Sequence, residues 1–147
     1  MAWQNDSTMT DSSTFTPPTW QAWVDGSALP NPGRIGIGAV LLSPEGVRSE
    51  ISRLSGSGDN NCAEYLALIA LLALAVGQGV QRLVVHCDSR VVLGDIDATA
   101  PVRTGELDIF RQQALHWVAQ IPLLRLQWIP RARNAEADAL ARAALMP

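Results

Sequence analysis

Residues 20–38, WQAWVDGSALPNPGRIGIG, decide the fold of this chain. A run with strand-like alternation leads to one carboxylate, Asp25, and is followed by a Gly/Pro/Asn turn that ends at Gly33 and a second run that carries Gly36 and Gly38. We predict a first strand over residues 20–26, a turn over residues 27–33 and a second strand over residues 34–42. A charge at the end of an apolar strand is costly to bury, so Asp25 needs a cationic partner.

The composition is that of an ordinary globular domain. The 147 residues are 48% hydrophobic and 17% charged, with a net charge of −3 and arginine as the only basic residue type apart from histidine. A mildly acidic chain does not by itself indicate nucleic-acid binding, so such a partner would be held locally or through metal ions. Cys62 and Cys87 have neither metal-ligand nor disulfide spacing, and we interpret both as buried apolar residues.

No signal peptide or membrane span is recognisable in the sequence. Residues 1–19 are rich in Ser, Thr, Asp and Pro, which predicts a disordered leader ahead of a single domain over residues 20–147. The longest uncharged apolar run, residues 65–76, is shorter than the ~20 residues that span a bilayer. We therefore expect a cytoplasmic, monomeric protein without a membrane partner.

The hydrophobic periodicity predicts alternating strands and helices downstream. A third strand over residues 47–54, at the sheet edge, should pair antiparallel to the second after the turn Ser43-Pro44-Glu45-Gly46. The other predicted elements are helices over residues 61–76, 89–94, 107–118 and 134–145, strands over 83–87 and 124–128, and loops over 56–59 and 98–104. This order gives an α/β protein with helices against a mixed five-stranded sheet.

Four acidic residues lie where a surface charge is not expected: Asp25, Glu64 in the first turn of an apolar helix, Asp88 after the most apolar strand, and Asp138 in the last helix. Each also has a structural explanation, as a turn residue, a helix cap or a partner of Arg142. Parallel first and fourth strands would bring Asp25 and Asp88 to the same sheet edge. Clustered carboxylates need cations between them, and oxygen ligands suit Mg²⁺ or Mn²⁺, in a two-metal arrangement for phosphoryl transfer.

Four motifs occur in order: WVDGSALPNPG at residues 23–33, NNCAEY at 60–65, CDS at 87–89 and RNAEADALA at 133–141. Together they resemble the motifs of type 1 ribonucleases H over residues 20–145. The resemblance implies the ribonuclease H-like fold, a five-stranded sheet in the order 3-2-1-4-5. It also implies endonucleolytic hydrolysis of the RNA strand of RNA–DNA hybrids, giving 5′-phosphate and 3′-hydroxyl ends.

The same resemblance implies roles for individual residues. Asp25, Glu64, Asp88 and Asp138 would be the catalytic residues and the metal ligands. Asp25 would bridge two Mg²⁺ ions, for which Mn²⁺ is an alternative, while Glu64 and Asp88 would serve one ion and Asp138 the other. The hybrid would be contacted by these matching residues: Gly26, Ser27, Asn31, Asn60, Asn61 and Ser89.

The chain also departs from the family pattern. Many members have a catalytic histidine before the last Asp helix, but residues 129–133 contain none, and we interpret His86 and His116 as ordinary structural histidines. Arg131 or Arg133 could supply the electrostatic part of that role, position a phosphate, or be solvated.

The family's basic handle is missing as well. The connection over residues 98–104 contains only Arg103, and Asp59 stands where a phosphate-binding hydroxyl is usual. An alternative is therefore a catalytically weak or inactive ribonuclease H-like binding module. The Asn-Pro-Gly turn and the Asn60-Asn61 pair make an integrase or junction resolvase the less favoured interpretation.

Overall fold

The computed structural model describes residues 16–97 and 105–146, which form a mixed five-stranded sheet covered by helices. The strands are β1 (Trp20–Leu29), β2 (Gly33–Leu42), β3 (Arg48–Gly58), β4 (Arg82–Cys87) and β5 (Leu123–Trp128). The helices are α1 (Asn60–Gly77), α2 (Arg90–Ile96), α3 (Glu106–Val118) and α4 (Ala135–Leu145), and a 3-10 turn lies at Arg131–Arg133. Most of the predicted leader and the whole 98–104 connection with Arg103 lie outside the described residues.

The sheet has the predicted order β3-β2-β1-β4-β5, with β3 at one edge. The first three strands pair antiparallel, and β4 runs parallel to both β1 and β5. In the β1–β4 register, Val24 lies beside Cys87. The residues that follow them, Asp25 and Asp88, therefore stand side by side, as the sequence predicted.

Two predicted boundaries were wrong. The 27–33 turn is shorter, because β1 continues to Leu29 in unbroken register with β2, so Asp25 lies within the strand and not at its end. The predicted loop over residues 56–59 is mostly strand, since β3 stays paired with β2 as far as Gly58, beyond an irregularity in the β2 register. In both places, hydrogen bonds between paired strands extend the strand through residues whose types favour a turn.

Helix α1 forms the centre of the core. It packs against β1, β2 and β3 on one side and against α2 and α3 on the other, as its uniformly apolar sequence predicted. Within the described part of the chain, α1 alone is long and apolar enough to cross a membrane, with a mean hydropathy of 1.5, and half of that stretch is buried inside the fold. Cys62 and Cys87 are free and buried, as expected.

Two glycines set how closely helices approach β1 and β2. A Cβ atom at Gly26 would collide with the carbonyl oxygen of Ala63 in α1, and one at Gly38 would collide with that of Ala137 in α4. Gly38 pairs with Asp25, the neighbour of Gly26, so the two helices lie on opposite faces of the sheet. Both helices thereby reach the Asp25–Gly26 segment.

Candidate metal centre and active site

Three carboxylates converge at the carboxyl edge of β1 and β4. One oxygen from each of Asp25, Glu64 and Asp88 lies within 4.8 Å of the other two, and we call these residues the carboxylate cluster. Asp25 is 6% exposed and Glu64 is 7% exposed, whereas Asp88 is half-buried. Since α1 begins at Asn60, Glu64 lies in its second turn, not in the first as predicted.

Asp138 reaches the same cleft from α4, on the other side of Asp25. It lies outside the carboxylate cluster but lines the cleft, and its negative charge contributes to raising the pKa of Asp25. Its Oδ1 accepts a hydrogen bond of 3.2 Å from Arg142 Nε, and its side chain is 30% exposed. The four predicted ligands thus form a buried half and a solvent-facing half that meet at Asp25.

Burial and crowding change the protonation of the carboxylate cluster. Burial first, and repulsion from Asp88 second, raise the pKa of Asp25 to about 7. Burial and then repulsion from Asp25 raise the pKa of Glu64 to about 10, although Gly26 N–H donates a 3.2 Å hydrogen bond to Glu64 Oε1. Without a cation, Glu64 therefore holds a proton at neutral pH.

The donor set fits a hard divalent cation. The ligand atoms are carboxylate oxygens alone, which suit Mg²⁺ or Mn²⁺. Asp88 Oδ1 is buried and has no hydrogen-bond partner among the described residues, so it is an acceptor that a cation would satisfy. A bound cation would also offset the burial and the repulsion that raise the pKa of Glu64.

Asn134 is a site residue that sequence analysis missed. It precedes α4 but makes no cap hydrogen bond; its Nδ2 instead donates to Val24 O at 2.8 Å and to Asp88 Oδ2 at 2.9 Å. Asn134 is 1% exposed, and its Oδ1 is buried without a hydrogen-bond partner in the described part of the chain. The amide therefore orients Asp88 relative to β1. The sequence signals were its spacing of four residues from Asp138 and its place in the motif RNAEADALA at residues 133–141.

The predicted substrate residues are only partly brought together. Gly26, Ser27, Asn60 and Arg131 line the cleft beside the carboxylates. The cleft-lining residues of the described chain do not include the other four: Asn31, Asn61, Ser89 and Arg133.

Several of these residues also have structural roles. Asn31 Oδ1 accepts from the backbone N–H of Asn60 at 3.1 Å, and Asn60 Oδ1 accepts from that of Ala28 at 3.0 Å, which ties the β1–β2 turn to α1. Ser89 caps α2, with its hydroxyl accepting from Val92 N–H at 3.2 Å. These bonds hold the cleft rim in place and leave the predicted contacts to the hybrid as predictions.

Asp59 also has a defined role. Its carboxylate caps α1 by accepting from Cys62 N–H at 2.9 Å, a hydrogen bond that lowers the pKa of Asp59. Asn61 therefore lies inside the helix and does not begin it, contrary to the prediction. Asp59 stays ionised and negative at the cleft rim, next to Asn60.

The two histidines take no part in the cleft. His86 stacks on Trp23, with ring centroids 5.0 Å apart, and contacts Gln21 Oε1 through Nε2 at 2.8 Å. His116 Nε2 lies 3.0 Å from the Gln120 side-chain amide. Both are structural histidines, as predicted, and the loop expected over residues 129–133 contains the 3-10 turn with Arg131 and Arg133.

Sequence comparisons place this arrangement among known proteins. The family described as reverse transcriptase-like matches residues 23–144. Ribonuclease HI of Halobacterium salinarum is 34% identical over 125 residues, which cover 84% of this chain and 63% of that protein. The bifunctional protein Rv2228c of Mycobacterium tuberculosis is 36% identical over 123 residues, or 82% of this chain. The chain spans 34% of the length of Rv2228c and of its mycobacterial counterparts.

Solved structures with a similar fold also include RNase H proteins. The N-terminal RNase H domain of Rv2228c, solved as a fusion with maltose-binding protein, has a TM-score of 0.81 at 33% identity. The match covers 87% of this chain and 99% of that one. LC11-RNase H1 in complex with an RNA/DNA hybrid has a TM-score of 0.77 at 30% identity, covering 85% of this chain and 95% of that one.

Proposed function

This chain belongs to the ribonuclease H family, and we propose that it cleaves the RNA strand of RNA–DNA hybrids endonucleolytically, leaving 5′-phosphate and 3′-hydroxyl ends. The observation that carries the proposal is the convergence of Asp25, Glu64 and Asp88, with Asp138, in one cleft. LC11-RNase H1, a structural relative, has been solved in complex with an RNA/DNA hybrid, which supports the choice of substrate.

The division of the carboxylates supports a two-metal site. Asp25, Glu64 and Asp88 would hold one Mg²⁺ ion, and Asp25 together with Asp138 would hold a second, with Mn²⁺ as an alternative metal. When bound, the ions supply a water of lowered pKa as the nucleophile and neutralise charge at the scissile phosphate and the leaving oxygen.

The protein's own contribution is to position the ligands and the substrate. Asn134 and Gly26 hold Asp88 and Glu64 through hydrogen bonds, so both carboxylates are oriented before any ion binds. Arg131, at the cleft wall, is placed to contact a phosphate of the bound strand. The backbone of Gly26 and Ser27 lies at the cleft, where contacts to RNA 2′-hydroxyl groups would distinguish RNA from DNA.

Incubation of end-labelled RNA–DNA hybrid with the purified chain and Mg²⁺ or Mn²⁺ tests the proposal. We expect cleavage of the RNA strand only, with 5′-phosphate ends on the downstream fragments. Asp25→Asn should reduce the rate by at least about 10³-fold, because Asp25 is shared by both halves of the site. Glu136→Gln, at an exposed acid of the same helix as Asp138, should leave the rate unchanged.

The second candidate function is a ribonuclease H-like binding module with little or no activity. The observation that favours it is the 3-10 turn at Arg131–Arg133, which has arginines but no general base. Hybrid binding without cleavage in either metal would support this candidate and would contradict the nuclease proposal. Cleavage of duplex DNA or of branched DNA in preference to the hybrid would contradict both.

A further inference from the structure

An aromatic and cationic pair borders the active site on its β5 side. The guanidinium carbon of Arg90 lies 4.0 Å from the centroid of the Trp128 ring, a cation–π contact. Arg90 is the first residue of α2, and Trp128 is the last residue of β5. Trp128 is 38% exposed, and Arg90 is exposed. We call these two residues the Arg90–Trp128 pair.

The pair lies next to the catalytic carboxylates. In the parallel β4–β5 register, Trp128 stands beside Cys87, the residue before Asp88. The N–H of Ile129 donates to Cys87 O at 3.0 Å and holds the end of β5 against the end of β4. Since neighbouring strands lie about 5 Å apart, the pair is one strand away from Asp88. It flanks the site on the side of β4 opposite to β1.

The guanidinium of Arg90 is available for a ligand. Among the described residues, Arg90 forms no ion pair with an acid, whereas Arg48 and Arg142 do. A guanidinium stacked on an indole keeps its N–H edge free, and that edge matches two phosphate oxygens. Stacking also restricts the side chain before binding, which lowers the entropic cost of binding a phosphate.

We propose that the Arg90–Trp128 pair is a phosphate clamp for the nucleic-acid duplex held in the cleft. The proposal rests on the proposed function, since that function supplies the duplex. Arg90 would donate hydrogen bonds to a backbone phosphate, and Trp128 would be a positioning residue that supports the guanidinium. Arg131 and Arg133 follow Trp128 closely in the chain, in the 3-10 turn after β5, and Arg131 lines the cleft itself. In an acidic chain, this gives the duplex a local basic contact.

The clamp can be tested by fluorescence anisotropy with a labelled RNA–DNA hybrid, in Ca²⁺ in place of Mg²⁺, over a series of salt concentrations. Arg90→Ala should raise Kd about 5- to 10-fold near 0.1 M salt and reduce the slope of log K against log salt by about 1. In Mg²⁺, KM should rise while kcat stays unchanged. Arg90→Lys should restore the salt slope but only part of the affinity, because an ammonium lacks the planar fork.

Arg125→Ala is the matched control, because Arg125 is exposed on β5 but faces away from Trp128 in the strand alternation. It should change neither Kd nor the slope. Trp128→Ala should weaken binding less than Arg90→Ala while retaining the charge. If thermal melting shows that Trp128→Ala is unfolded, the test rests on Arg90→Ala alone.

Three results would overturn the clamp. The first is wild-type Kd and slope for Arg90→Ala, and the second is an equal loss in Arg125→Ala. The third is a loss of affinity for the hybrid without any loss of affinity for a DNA duplex, because removal of a phosphate contact should weaken the binding of both duplexes alike. In all three cases, cleavage by the wild-type protein would leave the proposed function standing. A wild-type protein that neither binds nor cleaves the hybrid would overturn both proposals.

Discussion

The carboxylate cluster and Asp138 use the same chemistry in opposite surroundings. Asp25 and Glu64 are buried, and their pKa values rise because of that burial first and of repulsion from neighbouring carboxylates second. Asp138 faces solvent and already has a cationic neighbour, Arg142, at 3.2 Å. The carboxylate cluster therefore lowers the stability of the folded protein, whereas Asp138 changes it very little.

Because of this difference, the two halves of the site affect metal affinity and protein stability in different ways. Burial without a cation destabilises the folded protein, so any ion bound there is held by relief of repulsion as well as by coordination. An exposed carboxylate–arginine pair contributes little to stability and is easily exchanged for a metal ligand. Substitutions in the two halves should therefore change activity, stability and pH dependence to different extents.

The largest expected difference is in catalysis. Asp88→Asn should reduce hybrid cleavage by about 10³-fold or more, because it removes a half-buried charge of the carboxylate cluster next to Asp25. Asp138→Asn should reduce it by a smaller factor, about 10- to 100-fold, since solvent can replace part of an exposed ligand. Single-turnover cleavage rates at saturating Mg²⁺ measure both. Equal losses would show that the two halves contribute alike.

Asn134→Ala should affect both activity and stability. The change removes one buried hydrogen bond to Val24 O and one partly buried hydrogen bond to the Asp88 carboxylate, and it should lower the free energy of unfolding by about 2–3 kcal/mol. It should also slow cleavage about 10- to 100-fold, because Asp88 loses its orienting partner. Urea unfolding and the cleavage assay give the two values. Asn134→Ser, which can keep one hydrogen bond, should fall between wild type and Asn134→Ala.

The metal-free protein should lose stability as pH rises. The folded-state pKa values of Asp25 and Glu64 lie above their ordinary values, so the folded state binds more protons than the unfolded state from about pH 4 upward. The contribution of these two groups to stability is thus greatest below the ordinary carboxyl pKa. It declines through pH 7 for Asp25 and further toward pH 10 for Glu64. Thermal melting in EDTA should show a Tm several degrees lower at pH 8 than at pH 5.

Mg²⁺ should abolish most of that decline at pH 8 and have little effect at pH 5, where protons compete with the ion. A Tm that is independent of pH in EDTA would contradict a close carboxylate cluster. A Mg²⁺ effect of equal size at both pH values would show that the ion does not bind at these groups.

The smallest expected effects concern metal-free stability in single variants. Asp25→Asn should raise the free energy of unfolding by about 1–3 kcal/mol at pH 8, because it removes one of the crowded charges. Asp138→Asn should change it by at most about 0.5 kcal/mol, the value of an exposed i,i+4 pair. Denaturant unfolding in EDTA measures both values. A loss of stability in Asp25→Asn would contradict the destabilising repulsion within the carboxylate cluster.

The sequence predicted the element order, the side-by-side placement of Asp25 and Asp88, and the burial of both cysteines. These follow from local periodicity and strand register, which the chain encodes residue by residue. The ends of β1 and β3 were mispredicted, because ladder pairing with β2 outweighed the turn residues. Asn134 was predicted only as the start of the last helix, because its partners, Val24 and Asp88, lie 110 and 46 residues away in the chain.

By itself, the sequence determined which carboxylates are present and which strand or helix carries each of them. Only the tertiary structure decided that three of them are crowded together and that Asp138 stands apart with Arg142. The physical reason is the close approach of helices at Gly26 and Gly38, which places α1 and α4 on opposite faces of β1. Burial, hydrogen bonding and charge repulsion depend on distances through space, and those distances arise only when the helices pack on the sheet.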